Sequence, residues 1–282
     1  MRKIVVCLDG SVFAEAILPE VRDLGRRTGA EVVLLHVVHL PAGVSTEGQI
    51  GIYEIIAHEE SAASKYLRAI ANALSAEGVT VRTMLAIGAT ALEIVRFAER
   101  EHADMLALAT HAKSGVQRWL HGGVADAISR ATRCPLLLAH GRKNQSCPGG
   151  IRRVVASLDG SALAEMGLPV ARDLARTLRV PLLLLGAGAE GHAAYLAEIA
   201  EKERTDGLIV ETATAMGGPA RVMLRHGEAH PEDLLVLATQ ARPGWRTALM
   251  GPIARRVVVQ SRRPIVVVPC DPQVAGSAIR AA

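Results

Sequence analysis

Residues 5 to 26, VVCLDGSVFAEAILPEVRDLGR, return from Val154 onward as VVASLDGSALAEMGLPVARDLAR. Asp9 aligns with Asp159, Glu15 with Glu165, Pro19 with Pro169 and Arg22-Asp23 with Arg172-Asp173, all at an offset of 150. Further on, Tyr66-Leu67 aligns with Tyr195-Leu196, Gly78 with Gly207, Ala109-Thr110 with Ala238-Thr239, Gly122 with Gly251 and Pro135 with Pro264. The offset there is 129, so the second copy is 21 residues shorter. The loss falls opposite the loop that runs from His39 to about Ala57. Solenoid repeats run ~20–50 residues, so two copies several times that length are tandem domains. The boundaries read as a first domain over 1–140, a second, shortened domain over 151–270, and a tail over 271–282 that is weakly patterned and predicted to fray. Between the domains, GRKNQSCPGG at 141–150 is a polar, glycine-containing linker.

Within each copy, short apolar runs alternate with stretches of helical period. The first copy has IVVCL, VVLLHVV, VTVRTMLA, MLALA and LLLA as runs. Between them, Ala14, Ile17, Leu18, Val21 and Leu24 recur at helical spacing up to a stop at Gly29; Leu67, Ile70, Ala71 and Leu74 do the same, as do Leu92, Val95 and Ala98. Strands that are apolar on both faces and separated by helices belong to a parallel sheet covered on two sides. The predicted fold class is α/β: two tandem doubly wound domains in a βαβαβαβαβ pattern, with helices on both faces of each sheet and right-handed crossovers.

Composition excludes several classes. Half of the 282 residues are hydrophobic and 21% are charged, which is enough for a buried core. Net charge is +4 from 32 basic and 28 acidic residues, and the basic residues come as scattered pairs. With only 2 Phe, 3 Tyr and 2 Trp there is little to stack on bases, so no nucleic-acid partner is expected. No apolar run approaches the ~18–20 residues of a membrane span. The apolar stretch after Met1-Arg2-Lys3 is too short for a signal-peptide core, and a cytoplasmic protein is expected. Cys7, Cys134, Cys147 and Cys270 form no CxxC, and neither His36-x2-His39 nor His226-x3-His230 has a third ligand at metal-site spacing, so no metal is expected. GxSxG, GxxxxGK[ST] and HExxH are all absent, and no catalytic residue is named.

In an open parallel sheet, ligands sit beyond the carboxyl ends of the strands, where strand order reverses. Two segments end strands there: LDGS at Leu8–Ser11, with Ser11 placed to cap the next helix, and the stretch from Ala109 to Ile128, which runs through a loop into a helix starting near Gly122. A strand, a loop and a helix N-terminus together favour an anion, through free N–H groups and the helix dipole. Asp9 and Asp159 also read equally well as turn residues between strand and helix.

LDGS with a downstream AExxLP, a GxxA opening the third helix, an aspartate opening the fourth strand and a glycine loop before CPLLL together resemble the universal stress protein family, in both halves of the chain. That resemblance implies five parallel strands per domain in the order 3-2-1-4-5, with Asp9 facing the loop after the fourth strand. ATP-binding members of the family carry G-x2-G-x9-G-[S/T] in that loop. The first half reads Ala109-x2-Ala112-x9-Gly122-Gly123, and the second Ala238-x2-Ala241-x9-Gly251-Pro252. By resemblance, Asp9 and Val37 correspond to adenine contacts, and Ala109, Ala112, Gly122, Gly123 and Val124 to the phosphate loop. Asp159 and Gly251 are their counterparts in the second half.

An alanine adds a Cβ where backbone should approach phosphate. A lost hydroxyl contact to phosphate is worth ~1.5–3 kcal/mol, or about ten- to a hundredfold in affinity. Pro252 also removes an N–H. The motif therefore reads as degenerate in both halves, with ATP conceivable only in domain 1. The resemblance further implies that the two domains pair through their fifth strands, Leu136–Ala139 and Ile265–Val268, and it allows a homodimer. The expected function is that of a non-catalytic tandem stress protein. The alternatives are an adenine-nucleotide sensor using domain 1 and a weak nucleotide hydrolase.

Overall fold

The structure is a computed structural model that describes residues 1–39, 50–110, 123–140, 147, 149–188, 192–204, 207–240 and 251–270. The first half contributes β1 (Lys3–Cys7), α1 (Leu18–Thr28), β2 (Glu31–His39), α2 (Ile50–Ala76), β3 (Val81–Gly88), α3 (Thr90–Arg100), β4 (Met105–Thr110), α4 (Val124–Ala131) and β5 (Leu136–His140). The second contributes β6 (Arg153–Leu158), α5 (Ala162–Glu165), α6 (Leu168–Leu178), β7 (Leu182–Ala187), α7 (His192–Glu203), β8 (Val210–Ala215), α8 (Pro219–Ala229), β9 (Asp233–Gln240), α9 (Pro252–Gln260) and β10 (Ile265–Cys270).

Local signals set the ends of these elements. Pro19 and Pro169 sit in the first turns of α1 and α6, where the missing N–H has no helical partner to lose. Gly29 ends α1 in the left-handed region at φ 69°, as its position predicted. Ser161 caps α5: its Oγ accepts from Ala164 N–H at 3.2 Å, and Ser11 does the same for Ala14 at the entry to a 3-10 turn over Ala14–Ile17. Ser161→Ala is expected to cost about 1 kcal/mol, read as a lower urea midpoint with an unchanged slope.

Each half has the strand order expected from the resemblance, β3-β2-β1-β4-β5 and β8-β7-β6-β9-β10, with every pairing inside a half parallel. The halves pair through their fifth strands as expected: β5 and β10 hydrogen-bond antiparallel and join the two five-stranded sheets into a single ten-stranded sheet. The register there is Leu136↔Val267, Leu137↔Val266 and Leu138↔Ile265. Leu137 and Val266 are themselves equivalent at the offset of 129, so a local pseudo-twofold passes between them, perpendicular to the sheet.

That axis leaves the two faces in place. One face is covered by α1, α2, α6 and α7, around Val21, Leu67, Leu174 and Leu196. The other is covered by α3, α4, α8 and α9, around Ile94, Ile128, Met223 and Val257. Both apolar layers run unbroken across the seam. The axis does reverse strand direction, so the carboxyl ends of the first-half strands lie along one edge of the sheet and those of the second half along the opposite edge.

One packing exchange separates the copies. His36 on β2 has the shortened-copy equivalent Gly186 on β7, while Ala63 on α2 has the equivalent His192 on α7. A Cβ on Gly186 would lie 2.6 Å from His192 Cδ2. The imidazole thus comes from the strand in one half and from the helix in the other, and in the second half it also contacts the Leu158 carbonyl oxygen at 3.3 Å.

Candidate functional site

At the carboxyl edge of the first half, the ends of β1, β2 and β4 line a cavity of about 210 Å³. Its wall is apolar: Leu35, Ile94, Leu108 and Ile128, with Cys7 on the β1 side. Burial pushes the Cys7 thiol up to about 12, which keeps it protonated and inert. Asp9, Val37, Ala109, Gly123 and Val124 line the same cavity, so the structure gathers five of the seven first-half candidates around one space. Ala112 and Gly122 lie outside the described residues, as do His111, Lys113, Ser114, Gly115 and His121 of the same loop. Cys7, Thr90 and Ile94 were not singled out in the sequence. Only the register of β1 against β4 and the return of α3 over that edge bring them in.

Asp9 has a structural task. Its Oδ1 accepts from Ser11 N–H at 2.9 Å and from Ser11 Oγ–H at 2.6 Å, closing a turn in which Gly10 takes φ 83°. Asp159 makes the same pair of bonds to Ser161, at 3.0 and 2.6 Å, with Gly160 at φ 81°. The turn uses only one oxygen of each carboxylate. Both aspartates are exposed and line their cavities.

The two helix N-termini at the cavities differ. Gly123 is the N-cap of α4, and among the described residues a Cβ placed on it would meet nothing within 4 Å. Val124, at the first helical position, retains its N–H. In the second half the corresponding cavity, about 240 Å³, is lined by Asp159, Ala238, Thr239, Gly251 and Pro252. There Gly251 N–H already donates to Thr239 Oγ1 at 3.1 Å, and Pro252 has no N–H to give. Two anion donors at the start of α9 are thereby removed, one internally satisfied and one chemically absent. The equivalent hydroxyl in the first half, Thr110 Oγ1, donates to the Ala139 carbonyl at 3.3 Å, and Gly122, the equivalent of Gly251, lies outside the described residues.

A family model for the universal stress protein family matches residues 1–140 and 150–269. The chain belongs to the universal stress protein family. This tandem universal stress protein is 31% identical over 146 residues to universal stress protein MJ0531 of Methanocaldococcus jannaschii, a match covering 51% of this chain and 85% of that protein. It is 26% identical over 144 residues to universal stress protein YxiE of Bacillus subtilis, covering 48% of this chain and 97% of that protein. Both matches span about one copy of the repeat. The two-copy architecture is shared with the crystal structure of a universal stress protein from Archaeoglobus fulgidus, at a TM-score of 0.78 and 18% identity, over 95% of this chain and 98% of that one.

The groups weighed and set aside in the sequence have structural tasks. His226 lies 2.7 Å from Asp233 Oδ2 and its ring stacks on His230, 4.6 Å between centroids. His39 meets Thr90 at 3.5 Å. Among the described residues no group of three or more His, Cys, Asp or Glu side chains is arranged to hold a metal, and no helix is long and apolar enough to cross a membrane.

Proposed function

We propose that this chain is a non-catalytic, cytoplasmic tandem universal stress protein acting in stress adaptation, in which only the first half keeps a crevice open to an adenine nucleotide. The second half serves as its built-in partner. The observation that carries this reading is Pro252, which has no N–H to give, beside the hydrogen bond from Gly251 N–H to Thr239 Oγ1, where the first half has Gly123 at the position of Pro252. The apolar wall of the first cavity suits a purine face, and the exposed carboxylate of Asp9 suits its amine. Turnover above background is not expected: in each half the Asp-Ser pair, Asp9 with Ser11 and Asp159 with Ser161, is taken up in a turn.

Freshly purified protein, denatured and chromatographed for nucleotide and then titrated with ATP, tests this. The expected result is one nucleotide per chain, weakened about tenfold or more by Asp9→Ala, a loss of ~1.4 kcal/mol or more, and unaffected by Asp159→Ala. Two nucleotides per chain, or weakening by Asp159→Ala, would overturn the asymmetry. Unchanged affinity in Asp9→Ala would show the site to be misassigned, and hydrolysis lost in that variant would favour the enzymatic alternative.

A further inference from the structure

Two hydroxyl groups at the second cavity are left unspent. Thr239, near the end of β9, lines that cavity of about 240 Å³ and is only 3% exposed. Its Oγ1 accepts the Gly251 N–H at 3.1 Å, but among the described residues its own hydroxyl hydrogen has no acceptor. Thr110, its equivalent, gives that hydrogen to the Ala139 carbonyl at 3.3 Å. Ser157, near the end of β6, lines the same cavity and stands where the first half has Cys7. Its hydroxyl makes no hydrogen bond among the described residues.

A buried donor with no acceptor is costly, and such groups almost always find a partner in protein, water or ligand. Here two unspent hydroxyls line one cavity, together with the exposed carboxylate of Asp159, which accepts, and the apolar side chains of Met223 and Leu237. The same cavity is hostile to phosphate. Gly251 N–H is already taken, Pro252 has none, and Asp159 is itself an anion. Among the described lining residues there is no Lys or Arg. The matching ligand is therefore uncharged. It carries acceptors for the two hydroxyls, a donor for the carboxylate and a face that packs on Met223 and Leu237. The cavity is smaller than the ~300–1,000 Å³ that encloses a drug-sized molecule, so a ring with a few substituents fills it.

We propose that the second cavity is a site for an uncharged nucleoside and discriminates against its phosphorylated forms. Thr239 and Ser157 donate to ring-nitrogen or oxygen acceptors of the nucleoside, and Asp159 accepts from its amine or hydroxyl. Discrimination comes from what the site withholds: a phosphate entering it meets one spent N–H, one missing N–H and a carboxylate. The inference goes beyond the function proposed above, in which the second half serves only as a partner, and it needs no ligand in the first crevice.

The test titrates the full chain carrying Asp9→Ala with adenosine and, separately, with AMP by isothermal calorimetry. The two probes differ by one phosphate, so their ratio reads the discrimination directly. Thr239→Val and Ser157→Cys, the second of which copies the residue at position 7, are then added one at a time on the same background. Binding that responds to these two changes belongs to the second half. Binding that responds to Asp9→Ala belongs to the first, so the two readings fail separately.

Adenosine is expected to bind, and AMP about tenfold or more weakly. Thr239→Val and Ser157→Cys are each expected to weaken adenosine about tenfold, as loss of a hydrogen bond from a buried donor implies. Thr239→Ser, which keeps the hydroxyl, is expected to bind adenosine like the parent, which separates the hydroxyl from mere packing at that position. Using two sites keeps the test decisive if one variant folds poorly, with far-UV circular dichroism as the check. No adenosine bound, equal affinity for adenosine and AMP, or unchanged adenosine affinity in a folded Thr239→Val or Ser157→Cys chain overturns the proposal.

Discussion

Leu137→Asp is expected to unfold the seam. Leu137 is fully buried where the two halves meet, opposite Val266, which is fully buried as well. Its burial contributes about 1.5–3 kcal/mol. A carboxylate in its place finds no partner within an apolar layer and costs several kcal/mol more, whether it stays charged or takes up a proton. The sum is comparable with the ~5–15 kcal/mol that holds a typical domain together. Urea titration should show a large fall in midpoint, and light scattering should show association through the freed fifth strands. A midpoint unchanged within error would mean that β5 does not lie at a buried junction.

Asp233→Ala is expected to cost about 3–5 kcal/mol, the usual penalty for leaving one side of a buried ion pair unmatched. The Asp233 side chain is 1% exposed at the start of β9. Arg153 reaches both of its oxygens, Nε at 3.2 and 3.1 Å and Nη2 at 2.8 Å, and His226 Nε2 lies 2.7 Å from Oδ2. Desolvation pushes this carboxyl up, but hydrogen bonds from His226 and Arg153 and the charge of Arg153 outweigh it and hold the group below its ordinary value of 3.8.

The sign of the pH effect follows. A folded-state value below the unfolded one stabilises the protein fully above the unfolded value, and that stability is lost as pH falls through the folded value. The wild-type urea midpoint should therefore decline below about pH 4 more steeply than that of Asp233→Asn, which lacks the titrating group. Parallel curves for the two proteins would remove Asp233 from the account of acid sensitivity.

The strands and their order were readable because each obeys a local rule. LLLA and IVVV cannot face water on either side, so they had to lie inside a covered sheet. The repeat then carried every assignment from one half to the other. The turn role of Asp9 and Asp159 was readable too, because Asp-Gly-Ser closes on itself within three residues. What could not be read were bonds set by side-chain direction. Thr110 and Thr239 align perfectly, yet one hydroxyl turns to the neighbouring strand and the other to the backbone of Gly251.

Asp23 and Asp173 align as well, but Asp23 accepts the Ile151 N–H from the other half, whereas Asp173 meets Arg172 of its own helix at 3.7 Å. The exchange of His36 and Ala63 for Gly186 and His192 was hidden for another reason. It spans the gap in the repeat, so neither offset alone reveals that one imidazole replaces the other. In the crevice, Cys7 comes from β1 and Thr90 and Ile94 from α3, and no single motif holds them.

The antiparallel joint between β5 and β10 also decides how far apart the two mouths stand. A strand of six residues at ~3.3 Å each spans about 20 Å, so the openings are separated by at least that distance along the strand axis, besides the lateral offset. Charges in salt water are screened over about 8 Å. Through solvent, a charge at one mouth is thus largely screened from the other, and what the two mouths share directly is the run of strands between them.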